Sequence, residues 1–299
     1  GEIHFNTQMT GLEENENGEL MSVALKTGEK KWQHRTNAVV LALGHSARDT
    51  FRTLKDMGIP MAQKPLSIGV RLEHPQRIID QAQYGDQAGL PPASYKLSCR
   101  AQNGRGAYSF CMCPGGEVVT ASTQPGMVCV NGMSNRKRDS GIANAGILVD
   151  VRTEDFPSED VLAGVEFQEY WERRAFEYGG GRFAPPRCSF GEFRDNTGRG
   201  PEVAACLPDF AVEALREAIP VFGKRIKGFD SDSACVTAVE TRSSSPVRVL
   251  RNEDYESALR GLYPAGEGAG YAGGITSAAC DGLRVAEAII KRFAVRKEE

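Results

Sequence analysis

The chain has 299 residues, enough to bury a substantial core as one large domain or two smaller ones. With 40% hydrophobic and 25% charged residues and a net charge of −3, it gives no electrostatic reason for a nucleic-acid partner or an anionic membrane surface. No apolar run approaches the roughly 20 residues of a membrane-spanning helix, and no secretory signal opens the chain, so a soluble, cytoplasmic protein is expected.

The opening "GEIHFNT" reads as a strand from its first residue, which suggests a piece of a longer protein. Residues 2–46 read as a β-meander, with turn signals at Asn15–Gly18 and Thr27–Glu29 and a last apolar run. "AVVLALG", Ala38 to Gly44, is a continuous apolar run of the kind found in a parallel strand buried on both faces. "SARDTFRTLKDMG" then predicts a helix with Ser46 as N-cap, Phe51 and Leu54 inward, and Gly58 as the stop. From Pro65, short alternating runs such as "LSIGVRLEH", "AYSFCMCP" and "MVCVNGMS" predict an antiparallel sheet. Two helices follow, "SEDVLAGVEFQEYWERRAFEYGGG" and "LPDFAVEALREAIPVFG", the second bent or broken near Pro220. The stretch between them, "RFAPPRCSFGEFRDNTGRGPE", reads as a mobile loop. Strand-like "ACVTAVETR" and "PVRVL" lead to a last helix over about Gly274 to Phe293 and a charged tail, "KRFAVRKEE".

Eight cysteines spread through a chain of this length indicate reduced thiols rather than a disulfide framework. The four histidines have no partners at metal-binding spacing, and no metal is expected. Cys111 and Cys113 form C-x-C; alternation in a strand would put both on one face, as paired thiols, a strained disulfide or simply small apolar residues.

Before the last helix lies "GEGAGYAGGITSAACDG", with a literal G-x-G-x-x-G at Gly268, Gly270 and Gly273. A dinucleotide-binding turn of the Rossmann kind needs a second parallel strand and an acid about 20 residues further on. Here the chain ends 29 residues after Gly270 in a charged helix end, so the match is not the adenine-ribose fingerprint. Five glycines between Gly266 and Gly274 nevertheless let backbone approach a ligand closely. The helix behind them offers free N–H groups and a positive dipole end, and Glu267 can accept from a sugar-like hydroxyl.

At these residues the sequence resembles the C-terminal FAD-contacting segment of flavoprotein oxidoreductases with a glutathione-reductase-type FAD domain, and more narrowly a group of bacterial FAD-dependent dehydrogenases. "AVVLALGHSARDT" resembles that superfamily's cofactor-touching strand, with Leu43 where Thr is usual; "ETRSSSPVRVLR", "KPLSIGVRLEHP" and "YSFCMCPGGEVV" resemble the bacterial group. The resemblance implies FAD as cofactor. Glu267, where Asp is commoner, would meet the ribityl or ribose hydroxyls. Gly266 and Gly268 would lie beside the pyrophosphate, with Gly44 at the end of the cofactor-touching strand. Gly273, Gly274 and Ile275 would lie near the flavin C2 carbonyl, and Ser245 and Pro246 at the ring edge. Family members carry their G-x-G-x-x-G before the position of Gly1, so this chain is expected to hold only part of the site and to bind FAD weakly or not at all.

His45 is a candidate acid or base, or a cap for the helix after it. Arg242 and Arg248 are candidate partners of a carboxylate substrate or of the flavin N1 region. His74, with Arg71 and Glu73, is a candidate for a substrate pocket, and Tyr108 and Tyr271 are candidates for stacking or proton transfer. The expected fold is α/β with α+β character: a partial three-layer FAD/NAD(P)-binding domain from residues 1–64 and 229–299, interrupted by an antiparallel-sheet substrate domain over 65–228. The expected activity is hydride transfer between a small organic substrate and flavin, with NAD(P)H as a candidate reductant. The alternatives are an FAD-binding RNA-modification protein, disfavoured by the absence of a basic stripe, and a non-enzymatic interaction domain.

Overall fold

Turn-punctuated alternation at the start of the chain becomes an antiparallel meander in the computed structural model, which describes residues 1–294. Its strands are β1 (Thr7–Glu14), β2 (Leu20–Thr27) and β3 (Lys30–Arg35), paired in that order. The first strand starts at Thr7, not at the first residue. The apolar run after it contributes only β4 (Val39–Leu41), and Val40 is half exposed. Burial on both faces, expected for that run, is therefore not what the structure holds, because β4 has one parallel neighbour among the described residues. Helix α1 (Arg48–Asp56) buries Phe51 and Leu54 completely, as the periodicity predicts; its N-cap is Ala47, one residue after the expected Ser46.

In the middle of the chain come β5 (Met61–Gln63), β6 (Leu66–Pro75), α2 (Gln76–Tyr84), β7 (Ser98–Arg100), β8 (Gly106–Cys113), β9 (Gly116–Thr120), β10 (Val130–Ser134), β11 (Ile142–Val151) and α3 (Ala163–Tyr178). The stretch that reads as a mobile loop is ordered: it forms β12 (Arg187–Ser189), α4 (Phe190–Asp195) and α5 (Gly200–Ala204). A capping box starts α4, in which the Ser189 hydroxyl accepts from Glu192 N–H and the Glu192 carboxylate accepts from Ser189 N–H. Helix α6 (Asp209–Gly223) continues through Pro220 instead of breaking there. The chain closes with β13 (Cys235–Glu240), β14 (Val247–Val249), β15 (Leu262–Pro264) and α7 (Ile275–Phe293); the last five residues of the tail lie outside the described residues.

This mixed α/β chain divides into two units. The first takes residues 1–64, 156–165 and those from Ser244 onward; the second takes Pro65–Asp155 and Glu166–Ser243. Residues 229–243, expected with the first layer, lie in the second unit because β13 pairs along β6. The first unit's core joins the meander, α1 and the β5–β14 ribbon through Leu12, Leu41, Phe51, Met61, Val247 and Leu262.

The second unit is an antiparallel sheet ordered β12-β13-β6-β11-β8-β7. Strands β6 and β11 lie at its centre and are buried along nearly their whole length, with α6 and the β9–β10 ribbon packed against the sheet. The two central strands approach so closely at Gly69 that a Cβ there would sit 1.9 Å from the Ile147 carbonyl oxygen.

A charge also runs through this core. Arg71 on β6 is fully buried, and its Nη2 donates to Glu240 Oε1 at 2.8 Å and to Asn131 Oδ1 at 2.7 Å. Glu240 Oε2 lies 2.5 Å from Arg71 Nε, a charge contact without hydrogen-bond alignment. Burial pushes the Glu240 carboxyl up, and Arg71 only partly offsets it, leaving it at about 7. Removing one member of such a pair typically costs about 3–5 kcal/mol, because the other charge is stranded.

Two outcomes follow from this packing. Gly69→Ala should lower stability by about 1–3 kcal/mol or more, read as a shift in urea midpoint. Native Glu240 holds its proton up to about pH 7, whereas the unfolded carboxyl releases it near 4.3. The native state thus binds more protons in that window, and this group makes stability fall as pH rises through it, by at most about 1.4 kcal/mol per pH unit. Glu240→Gln should remove that component of the slope in denaturation series at pH 4–8.

Candidate functional site

The glycine-rich turn occupies the handover from β15 to α7. β15 pairs in parallel with β4, Leu262 opposite Val39 and Pro264 opposite Leu41, and Ala265 N–H donates to Leu41 O at 3.1 Å. Beyond the strand, the backbone passes the end of β4 so tightly that a Cβ on Gly268 would lie 1.9 Å from the Leu43 carbonyl oxygen. This approach sets Glu267 beside His45, with Oε1 2.9 Å from Nδ1 and both side chains partly buried. Gly44, directly before His45, is exposed.

A second wall comes from the segment entering β14. The Ser245 hydroxyl is buried within reach of Val247 O (2.9 Å) and Gly268 O (3.0 Å), so it ties this segment to the glycine turn. Pro246 O accepts from Lys64 N–H, and the Lys64 ammonium sits 3.5 Å from Ser245 O. Burial holds the Lys64 pKa below its usual value; Arg248 pushes the same way, and Glu267 opposes it. Arg248 lies over the Tyr271 ring at 5.2 Å and donates to Gly270 O at 3.3 Å.

An ionic knot fixes the turn from behind. Arg251 meets Asp281 through two hydrogen bonds, of 2.6 and 3.0 Å, and donates to Pro264 O at 2.7 Å. Asp281 also accepts the Gly266 N–H at 2.8 Å. The Arg251 guanidinium stacks on Tyr271 at 3.6 Å and on Tyr255 at 4.6 Å. Burial alone would raise the Asp281 carboxyl, but the bonds from Arg251 and Gly266 outweigh it and hold the carboxyl below its usual range.

In front of the turn, α7 begins openly. Gly273 and Gly274 have free space around them, the Gly274 N-cap has no side-chain cap, and Ile275 is 93% exposed. The first N–H groups and the positive dipole end of a helix of 19 residues therefore face outward.

Of the residues singled out in the sequence, Gly44, His45, Ser245, Pro246, Arg248, Gly266, Glu267, Gly268, Gly273, Gly274 and Ile275 all belong to this first unit. Arg242 does not. It lies in the second unit, where Nε and Nη2 bind the buried Glu172 carboxylate at 2.9 and 2.7 Å and Nη1 donates to Thr123 at 2.6 Å. Its charge is already matched by a carboxylate of the chain. His74 is likewise internal: it packs on Phe229, Nε2 is 2.6 Å from Phe229 O, and burial lowers its pKa to about 4. Glu73 and His74 nonetheless line a cavity of about 450 Å³ together, with Arg77, Arg187 and Cys235, whereas Arg71 is buried in the sheet. Tyr108 bonds Ser67 at 2.7 Å, and Tyr271 is packed against the two arginines. Lys64, Arg251 and Asp281 escape the sequence reading. Asp281 had a signal, an acid four residues before the buried Val285 on the inward face of the last helix.

Residues 65–243 match the family described as FAD-dependent protein, C-terminal domain-like, and the chain belongs to that family. A protein of Clostridium beijerinckii described as uncharacterized is 43% identical over 317 residues, which cover 99% of this chain and 58% of the relative. The chain thus spans little more than half the length of that relative. A solved flavin-dependent brominase variant shares 13% identity, covering 57% of this chain and 35% of its own, with a TM-score of 0.25, too low to support any argument. FAD is the cofactor of this family. The donor set of the first unit fits the flavin side of that molecule: an acceptor at Glu267 for hydroxyls, open N–H groups at α7 for an electron-rich carbonyl or phosphate, and glycines in open space at the point of approach.

The Asp281 knot has a pH signature. Its folded-state pKa is depressed, so its contribution is present above the unfolded value near 3.9 and is lost as pH falls through the folded value. Asp281→Asn should cost about 1.5–3 kcal/mol at pH 7, and the difference from the parent chain should shrink below about pH 4 in thermal melts.

Proposed function

We propose that this chain supplies the flavin-facing part of an FAD-dependent oxidoreductase whose cofactor domain is of the glutathione-reductase type, and that the whole protein transfers hydride between a small organic substrate and the flavin. The observation that carries the reading is the join between β4 and the glycine turn, where Glu267 and His45 meet in front of an uncapped helix. When bound, FAD would accept or donate the hydride; that chemistry belongs to the cofactor.

The chain's own groups have simpler tasks. Glu267 accepts hydrogen bonds from the hydroxyls of the cofactor's sugar-alcohol chain, and His45 holds the carboxylate in place from the other side. Gly268 lets the turn lie against β4, which keeps Glu267 at the end of that strand. The N–H groups and dipole of α7 favour negative charge at the turn. Lys64 and Arg248 add positive charge on the side of Ser245 and Pro246, suited to an anionic substrate group or to the electron-rich edge of the ring. NAD(P)H as reductant and a cytoplasmic setting belong to the same reading.

Titration of the full-length protein with FAD, followed by quenching of flavin fluorescence, tests it. Glu267→Ala should weaken binding about tenfold or more, the equivalent of about 1.4 kcal/mol, and His45→Ala should weaken it less. Equal affinity in parent and Glu267→Ala chains would sink the assignment of this turn to the cofactor.

A further inference from the structure

The second unit holds two cysteines in contact that the flavin reading leaves unused. The pairing of β8 with β11 slips between Cys113 opposite Asn144 and Phe110 opposite Gly146, so Cys111 and Met112 together face a single residue. Cys111 absorbs the extra residue with φ of 42°, a left-handed conformation rare for side-chain-bearing residues and typical of bulges that re-aim a side chain. Regular alternation is therefore broken: Cys111 points to solvent while Cys113 is 7% exposed.

The two residues nonetheless meet: Cys113 Sγ donates to the Cys111 carbonyl at 3.4 Å, and the two thiols interact electrostatically. Arg71 anchors the pair from beneath, its Nη1 donating to Cys111 O at 2.8 Å and lying 4.0 Å from Cys113 Sγ. Neither cysteine is in a disulfide. One thiol is thus open to attack from solvent, with a second shielded behind it beside a guanidinium.

We infer that Cys111 and Cys113 form a thiol–disulfide exchange site that takes small-molecule disulfides as its substrate class, with Cys111 as the entering thiol and Cys113 as the resolving one. Cys111 loses its proton to water and its sulfur bonds to one sulfur of the incoming disulfide; the other sulfur leaves as a thiolate and is protonated. Cys113 then gives up its proton and attacks the Cys111 sulfur, expelling the second small thiol. The chain loses two electrons and two protons, and the disulfide becomes two thiols. The order follows from access and from protonation. The hydrogen bond with Cys111, and then burial, push the Cys113 thiol up, so it stays protonated while Cys111 reacts. Once Cys111 is capped, its sulfur is the electrophile nearest to Cys113, and Arg71 favours the thiolate that forms there.

The test uses the full chain and oxidised glutathione as the probe, with remaining thiols alkylated and the peptide holding both cysteines sequenced by mass spectrometry. The expected product is a Cys111–Cys113 link, two hydrogens lighter than the dithiol and free of glutathione. Cys113→Ala should retain glutathione on Cys111, and Cys111→Ser should leave Cys113 unreacted. A wild-type chain that keeps a stable glutathione adduct on Cys111, or in which both cysteines are recovered alkylated, overturns the proposal. The wild-type measurement decides even where the Cys113 variant fails to fold.

Discussion

The first unit depends on the pairing of Arg251 with Asp281. A glycine-rich turn has little side-chain surface to pack, and its backbone loses more freedom on folding than any other. Something other than burial must fix it. Arg251 grips the last carbonyl of β15 and the first buried acid of α7 at once, and that acid takes the Gly266 N–H. Strand end, turn and helix are therefore held by one guanidinium, which two tyrosine rings cover from solvent. The cover matters energetically, because exposed ion pairs contribute about 0–1 kcal/mol, while this one has both side chains less than one-tenth exposed.

The second unit uses charge differently. Arg71 and Glu240 sit inside a sheet whose central strands are buried along nearly their whole length, where an unpaired ion would cost several kcal/mol. The guanidinium is satisfied by Glu240, Asn131, Asn144 and the Cys111 carbonyl together. Those partners come from β13, β10, β11 and β8. One side chain on β6 thus reads the register of four other strands, and the bulge at Cys111 is the place where β8 bends to deliver its carbonyl.

Much of this was legible beforehand. The meander, the inward pair Phe51 and Leu54, the antiparallel character after Pro65 and the last helix all follow from periodicity and turn residues, which are local properties. Glu267 and its glycines stand out in the sequence because their spacing departs from ordinary helix or strand usage. The misses were tertiary. The Ser189 and Glu192 capping box could have been read within the supposed loop, but β11 shows no alternation because both of its faces are covered. Val40 reads as core from its neighbours and is exposed because β4 is short and singly paired. The partner of Arg242 lies 70 residues away in sequence, and nothing near Arg242 reveals it.

Counting partners separates the cations of this chain that build the fold from those left for chemistry. Arg242 and Arg251 each face a carboxylate at hydrogen-bond distance, and the carboxylate is buried in both cases. Their charge is neutralised inside the protein, so an incoming anion would have to displace a desolvated ion from its counterion, at a cost of several kcal/mol. Lys64 and Arg248 contact carbonyl oxygens and, for Arg248, an aromatic ring. Carbonyl dipoles orient a cation without cancelling it, and the burial that lowers the Lys64 pKa also strengthens its field on any anion brought nearby. Lys64 and Arg248 therefore keep an uncancelled positive field beside Ser245 and Pro246, a segment that Ser245 ties to the glycine turn of Glu267.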